Sequence, residues 1–177
     1  MKAFLICCFF ALCYSSYGVQ GCGSTGWDTR FEATFKMECK SGESMYSINS
    51  AHQNAQEDRV WAYRCRENPY ITTSCRWSTN VNAYDRNVDN FICPGEGYMV
   101  GMSADSQHRV YKDRRFHFKC CDAKSGQGQS SCYWTYYVND WDKIMKYIAP
   151  SGYYIAGAYS THHNVYEDRR WKFYICR

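Results

Sequence analysis

Short segments in which hydrophobic and polar residues alternate recur along this chain at a fixed interval. The clearest of them begins at an Asp-Arg pair and continues with an aromatic residue at every second position, as in Asp168-Arg169-Arg170-Trp171-Lys172-Phe173. Earlier copies begin at Asp58 and Asp113, and 55 residues separate each Asp from the next. A period of two residues with aromatic enrichment predicts β-strands. The fixed interval predicts a threefold internal repeat.

A second alternating segment precedes each Asp-Arg strand and follows a Gly-bearing turn. Its copies are rich in aromatic and aliphatic residues and end near Ser50, Ser103 and Ser160. The stretch from Trp141 to Ile148 is compatible with either a helix or a strand, and no other stretch favours a helix. We therefore expect an all-β fold of three pseudo-symmetric repeats of about 55 residues. They span about 27–65, 77–121 and 134–176.

One repeat of this length cannot bury its own apolar face. The three repeats should therefore close on each other into one disulfide-stapled domain, resembling a β-prism or a β-trefoil.

Alternation also sorts the side chains of the Asp-Arg strands between two faces, because successive residues of a strand point to opposite sides of the sheet. One face carries the aromatic residues and should be buried. An Arg on that face either stacks on an aromatic ring and pairs with a carboxylate, or binds an anionic ligand directly; we favour the structural role. The residues of this motif are Asp58, Arg59, Trp61, Asp113, Arg114, Phe116, Asp168, Arg169 and Trp171.

The opposite face of the same strands is basic. Several spaced cations suit a polyanion such as a sulfated glycosaminoglycan, and such binding weakens with salt. The alternative is a solvated strand face that keeps sheet edges apart, and the pattern favours neither. The candidate ligand-binding residues are Arg64, Arg115, His117, Lys119, Arg170 and Lys172.

The N-terminal pattern is typical of a secretory signal. Lys2 precedes an apolar run from Ala3 to Cys13, and small or polar residues follow through Gly18. This predicts a signal peptide at 1–18, a single mature domain at 19–177 and a secreted protein of the extracellular matrix or fluid. The apolar run is too short to span a bilayer.

Cleavage would leave nine of the 12 cysteines, a density that suits an oxidising compartment. Positions relative to the repeat sort them into two classes that should have different partners. We propose the pairs Cys39-Cys65, Cys93-Cys120, Cys75-Cys121 and Cys132-Cys176. The adjacent Cys120 and Cys121 are able to exchange roles, and Cys22 is the odd thiol, either free or joined to a second chain in a dimer.

Several classes of function lack support in the sequence. A formal net charge of +4 is a mild bias and does not indicate nucleic-acid binding. There is no Ser-His-Asp arrangement, phosphate-binding loop or zinc-type cysteine spacing, so we expect a non-enzymatic protein without a cofactor or metal. His52, His108 and His163 recur before the Asp-Arg strands, and we favour polar packing for them because no two histidines share a strand face at ligand spacing.

The three Asp-Arg-x-Trp-x-Phe/Tyr segments, the cysteines that follow them and the 17 tyrosines resemble the dermatopontin family of tyrosine-rich extracellular matrix proteins. The second copy departs only by Phe116 in place of Trp. The resemblance implies a matrix protein that binds proteoglycans and collagen and supports cell adhesion and matrix assembly. It equally implies an alternative, a soluble multivalent lectin that agglutinates cells in an invertebrate. Sensitivity to salt indicates the first role, and competition by neutral sugars the second.

Overall fold

The structure, a computed structural model, describes residues 26–177. The expected signal peptide at 1–18 and Cys22 lie outside this range. The described chain forms strands without helices, so it has no helix long and apolar enough to cross a membrane. Its strands are β1 (Phe35–Glu38), β2 (Glu43–Gln53), β3 (Asp58–Glu67), β4 (Ile71–Trp77), β5 (Val88–Ile92), β6 (Tyr98–Ala104), β7 (Phe116–Ala123), β8 (Tyr133–Trp134), β9 (Met145–Ile148), β10 (Tyr154–His163) and β11 (Asp168–Cys176).

The strands form three sheets, with the orders β1-β6-β7-β4, β5-β10-β11-β8 and β3-β2-β9. Each sheet is built on one antiparallel pair of strands: β6-β7, β10-β11 or β2-β3. The second strand of each pair carries one of the Asp-Arg segments. β3 and β11 begin at the Asp, whereas β7 begins at Phe116, just after the Asp113-Arg114 pair. The predicted all-β fold is confirmed. Within the ambiguous stretch from Trp141 to Ile148, the residues Met145–Ile148 form a strand.

The short strand that precedes each antiparallel pair does not join that pair. β1 adds to the sheet of β6 and β7, and β5 adds to the sheet of β10 and β11. β9 in turn adds to β2 of the first repeat, with Ser50 opposite Met145. Each repeat therefore gives one strand to the next repeat, and the last gives one to the first.

Three aromatic side chains meet where the sheets pack together. Trp61, Phe116 and Trp171 are at most 1% exposed, and their ring centroids lie 5.0 to 6.0 Å apart in edge-to-face geometry. Aromatic pairs prefer such offset arrangements over face-to-face sandwiches. The aromatic residues of the three motif copies therefore form the centre of the core.

Four disulfides join the described cysteines, and they are the four pairs proposed from the sequence: Cys39–Cys65, Cys75–Cys121, Cys93–Cys120 and Cys132–Cys176. Neighbouring residues of a strand point to opposite faces, so Cys120 and Cys121 enter different apolar clusters. Cys120 packs in the central core with Cys93, whereas Cys121 packs in a second cluster around Tyr98 and Tyr154.

Candidate functional site

Three buried Arg-Asp ion pairs connect the repeats. Each guanidinium donates from Nε and Nη2 to the two oxygens of one carboxylate, at 2.6 to 2.8 Å. In every pair the Arg and the Asp come from different repeats. The pairs are Arg114 with Asp58, Arg169 with Asp113, and Arg59 with Asp168.

These buried ions also form further hydrogen bonds. Arg59, for example, donates to the carbonyl of Lys143 at 3.0 Å, and Arg169 donates to the carbonyl of Arg86 at 2.8 Å. The Asp168 carboxylate accepts a further bond, from the backbone N–H of Asp142 at 2.9 Å. Buried charges are tolerated when they are paired and hydrogen-bonded in this way. The three pairs therefore link residues of different repeats through buried, hydrogen-bonded ions.

A small cavity of about 30 Å³ lies against the three ion pairs. The side chains around it include Glu57, Lys112 and Glu167, one from each repeat, and two histidines, His52 and His162. Burial raises the pKa of the Glu167 carboxyl. A water needs roughly 10–15 Å³ of such volume, so the cavity suits a water or an ion but is too small for a sugar ring.

The candidate cations of the basic face are spread over three different sheets. Arg64 is on β3, His117 and Lys119 are on β7 with Arg115 just before it, and the other two are on β11. Most of them already have a partner within the protein. Arg115 donates to Asp105 at 2.7 and 3.0 Å, with His117 3.9 Å from the same carboxylate. Lys119 is paired with Glu38, whose pKa is lowered by hydrogen bonds from Lys119 and Lys36. The structure therefore does not bring the six residues into one basic surface.

Arg170 and Lys172 are distinguished by their aromatic surroundings. The Arg170 guanidinium lies 4.2 Å from the ring centroid of Tyr137 and 4.6 Å from that of Trp141. The Lys172 ammonium lies 4.6 Å from Tyr137 and 5.7 Å from Tyr159. We call these five half-exposed residues the β11 patch. Sequence reasoning missed its aromatic members, because they lie outside the Asp-Arg strand.

Arg170 also borders a cluster that occurs twice. In one copy Trp141 stacks on Tyr166 at 5.5 Å, with His163 beside both rings. The other copy consists of Tyr84, Tyr111 and His108, with Arg115 over the Tyr84 ring. We call these the aromatic clusters. Tyr166 is 41% exposed and Tyr111 is 43% exposed, so part of each cluster faces solvent.

The histidines fall into different groups from those predicted. His108 and His163 belong to the aromatic clusters, whereas the equivalent of His52 at the 55-residue interval is Gln107 and then His162. The spacing in the sequence already separates the two groups. His52 lies six residues before its Asp, whereas His108 and His163 lie five residues before theirs. Carboxylates from another repeat approach His52. The expectation that the three histidines serve polar packing without a metal stays a prediction.

The amino-acid sequence is similar to those of known proteins. The family model described as Dermatopontin matches residues 29–177. A hemagglutinin/amebocyte aggregation factor of Limulus polyphemus is 34% identical, over 87% of this chain and 88% of the relative. Millepora cytotoxin-1 of Millepora dichotoma is 33% identical, over 83% and 64%. A dermatopontin of Biomphalaria glabrata is 32% identical, over 81% and 94%.

No solved structure matches the chain. The range that the family model matches includes the three buried Arg-Asp ion pairs and the four disulfides. No enzyme family is indicated by these matches. The chain belongs to the dermatopontin family.

Proposed function

We propose that this protein is a non-enzymatic extracellular matrix protein that binds the glycosaminoglycan chains of proteoglycans and supports cell adhesion and matrix assembly. The observation that carries the proposal is the β11 patch, where two cations lie among three aromatic rings. Collagen and cell surfaces are the further partners that family membership suggests.

The chemistry of the patch suits an acidic sugar polymer. Arg presents a planar fork that matches sulfate or carboxylate oxygens, and aromatic rings give an apolar surface for the carbon face of a sugar. Among the described residues, Lys172 forms no salt bridge, and the contact of Arg170 with the exposed Asp140 is long, at 3.7 Å. Neither cation is closely paired with a carboxylate, so both are available to an anionic ligand. Arg115 and Lys119, by contrast, are already paired with Asp105 and Glu38.

The test is retention of the oxidised mature protein on immobilised heparin and dermatan sulfate across a salt series. We expect salt-sensitive retention that neutral sugars leave unchanged. Replacing both cations, Arg170→Ala with Lys172→Ala, should lower the affinity about 5- to 30-fold, the effect of losing roughly 1–2 kcal/mol. Arg109→Ala, at an exposed position outside the patch, is the charge control and should have a much smaller effect. Equal retention of the double variant and the control would contradict the proposed site.

A second candidate function is that of a soluble multivalent lectin. The aromatic clusters favour it, because the same arrangement of a stacked ring pair and a histidine occurs at two places on one chain. The relative from Limulus polyphemus is named a hemagglutinin/amebocyte aggregation factor. Two sites on one molecule would cross-link cells through avidity. For this function, a neutral monosaccharide should abolish binding, and Tyr111→Ala with Tyr166→Ala should abolish agglutination.

We further propose that residues 19–177 form one secreted domain in which the three repeats close into a pseudo-threefold unit of the prism or trefoil type. The cyclic strand exchange and the ring of ion pairs support this proposal. Whether Cys22 is free or joins two chains is decided by the mass of the secreted protein with and without reductant.

A further inference from the structure

Two histidines with buried side chains occupy equivalent positions in the first and third repeats. His52 and His162 are 110 residues apart, and the side chain of each is 1% exposed. The Nδ1 atom of His52 lies 3.4 Å from Oδ1 of Asp142, and Nδ1 of His162 lies 3.6 Å from Oδ1 of Asp85. On the opposite side of each ring, Nε2 faces a glutamate, Glu57 at 3.9 Å or Glu167 at 3.8 Å.

These polar atoms lack hydrogen bonds despite their burial. Both ring nitrogens of His52 and the facing Oδ1 of Asp142 have no partner, and the same is true of His162 Nε2 and Asp85 Oδ1. His162 Nδ1 has one other neighbour, the side-chain oxygen of Asn164 at 3.2 Å. A buried polar group without a partner is costly, so each such group calls for an occupant.

The distances indicate which kind of occupant fits. Nitrogen-to-oxygen separations of 3.4 and 3.6 Å exceed the usual hydrogen-bond range. Two ligands bound to one tetrahedral ion at about 2.1 Å each would be separated by roughly 3.4 Å. A third potential ligand is present at each place, since a carboxylate oxygen of Asp168 or Asp113 lies within 4.8 Å of the other two ligand atoms.

The carboxylates of the ion pairs have a lone pair left with which to bind a metal ion. Oδ1 of Asp168 accepts a hydrogen bond from Arg59 Nε, while Oδ2 accepts from Arg59 Nη2 and from the Asp142 backbone. A carboxylate oxygen has two lone pairs, so Oδ1 retains one. The ion pair also leaves Asp168 locally neutralised, and Asp142 and Glu57 supply the net negative charge that a divalent cation requires.

The second repeat provides an internal comparison. Gln107 takes the place of the histidine there, and its side-chain amide donates to the backbone carbonyls of Gln56, at 3.0 Å, and Glu57. In the repeat that lacks the histidine, the side chain at this position thus finds its hydrogen-bond partners within the protein. In the two repeats that have the histidine, ring nitrogens at this position have no such partner.

We propose that His52, Asp142 and Asp168 form one binding site for a divalent transition-metal ion of the zinc class, and that His162, Asp85 and Asp113 form a second. One imidazole and two carboxylates are ligands that Zn²⁺ accepts, and a water completes four-coordination. Ca²⁺ and Mg²⁺ favour more numerous, all-oxygen ligands. The glutamates that face Nε2 correspond to the carboxylates that orient metal-binding histidines. Each ion would link two repeats, the third to the first and the second to the third.

The proposal is tested by titrating the chelator-treated, alkylated mature protein with Zn²⁺ in a calorimeter, alkylation removing any contribution from a free Cys22. We expect two ions per chain, and a rise in melting temperature because the ion binds the folded state. Co²⁺ at the same sites should give the visible absorption of tetrahedral coordination.

His52→Gln and His162→Gln each reproduce the residue of the second repeat, so both variants should fold. Each should remove one ion, and the double variant should remove both. The matched control is His108→Gln with His163→Gln, which changes two histidines of the aromatic clusters and should leave two ions bound. Asp85→Asn and Asp142→Asn provide an independent pair of variants with the same expected losses. Absence of saturable Zn²⁺ binding, or an unchanged stoichiometry in the double variant, would overturn the proposal and assign the space to water.

Discussion

Arg114 and Arg115 are adjacent in the chain but lie in opposite surroundings. The side chain of Arg114 is 3% exposed and pairs with the buried carboxylate of Asp58, whereas that of Arg115 is 40% exposed and pairs with Asp105 at the surface. Removing one member of a buried pair leaves a charge without compensation, while an exposed pair is screened by water. The two residues therefore separate the structural role of the motif from the role of the basic face.

We expect Arg114→Ala to lower the free energy of unfolding by about 3–5 kcal/mol, because the Asp58 carboxylate stays buried without its partner. Arg115→Ala, its neighbouring control, should leave stability nearly unchanged. Urea unfolding of the oxidised proteins, followed by tryptophan fluorescence, measures both effects. Equal midpoints for the two variants would show that the ion pair does not hold the repeats together.

Single residues were predictable from the sequence where local alternation determines their face. The burial of Trp61, Phe116 and Trp171 follows from the period of two. The neighbours of Arg170 and His52 were not predictable, because Trp141 and Asp142 reach them from the connecting segment of the third repeat. Contacts of that kind depend on how distant segments meet, and no local period encodes them.

At the level of elements, one glycine controls how closely an exchanged strand approaches its acceptor. Gly157 lies at an irregularity in the pairing of β10, where a Cβ atom would come within 2.3 Å of the carbonyl oxygen of Phe91 on β5. The corresponding irregularity in the first repeat, between Met45 and Ser47, has a serine instead. Close backbone approach therefore requires glycine at one of these places and not at the other.

Gly157→Ala should destabilise the protein by about 1–3 kcal/mol, because the added methyl group pushes β5 away from β10. Ser47→Ala is the matched control and should cost much less. Thermal unfolding measures the difference, and hydrogen exchange should show faster exchange in β5 of the glycine variant. Unchanged protection of β5 would mean that the strand adjusts without loss of pairing.

The central strands were predictable and the exchanged strands were not. The antiparallel pairs are long and alternate clearly, as in β2 and β3. β1 and β9 have four residues each and β5 has five, and each pairs with a strand of another repeat. Such short segments have a weak period, and their partners are fixed only when the whole fold forms.

In the whole molecule, the described disulfides join residues that are close in sequence, whereas the strand exchange pairs residues that are up to about 100 positions apart. They join cysteines 26, 46, 27 and 44 residues apart, so none of them links the first repeat to the third. That junction depends on noncovalent contacts, chiefly the pairing of β9 with β2 and the ion pair of Arg59 with Asp168.

Reduction should nevertheless unfold the molecule. Loops of these lengths correspond to about 3.5–4 kcal/mol of stabilisation for each bridge, and four bridges rival the whole stability of an ordinary domain. Near-ultraviolet circular dichroism before and after treatment with a reductant measures the loss of packed aromatic side chains. A reduced protein that keeps its native spectrum at 37 °C would show that the core is stable without cross-links.

The pairing of β9 with β2 also sets the order in which the molecule can be completed during biosynthesis. The free edge of β2 leaves the ribosome roughly 90 residues before the strand that covers it. At about 5–20 residues per second, that edge stays open for roughly 5–20 s. The β2-β3 hairpin and its disulfide are therefore able to form early, but the sheet that contains this hairpin has to wait for β9. Until then, the open edge is available to the β9 segment of another nascent chain.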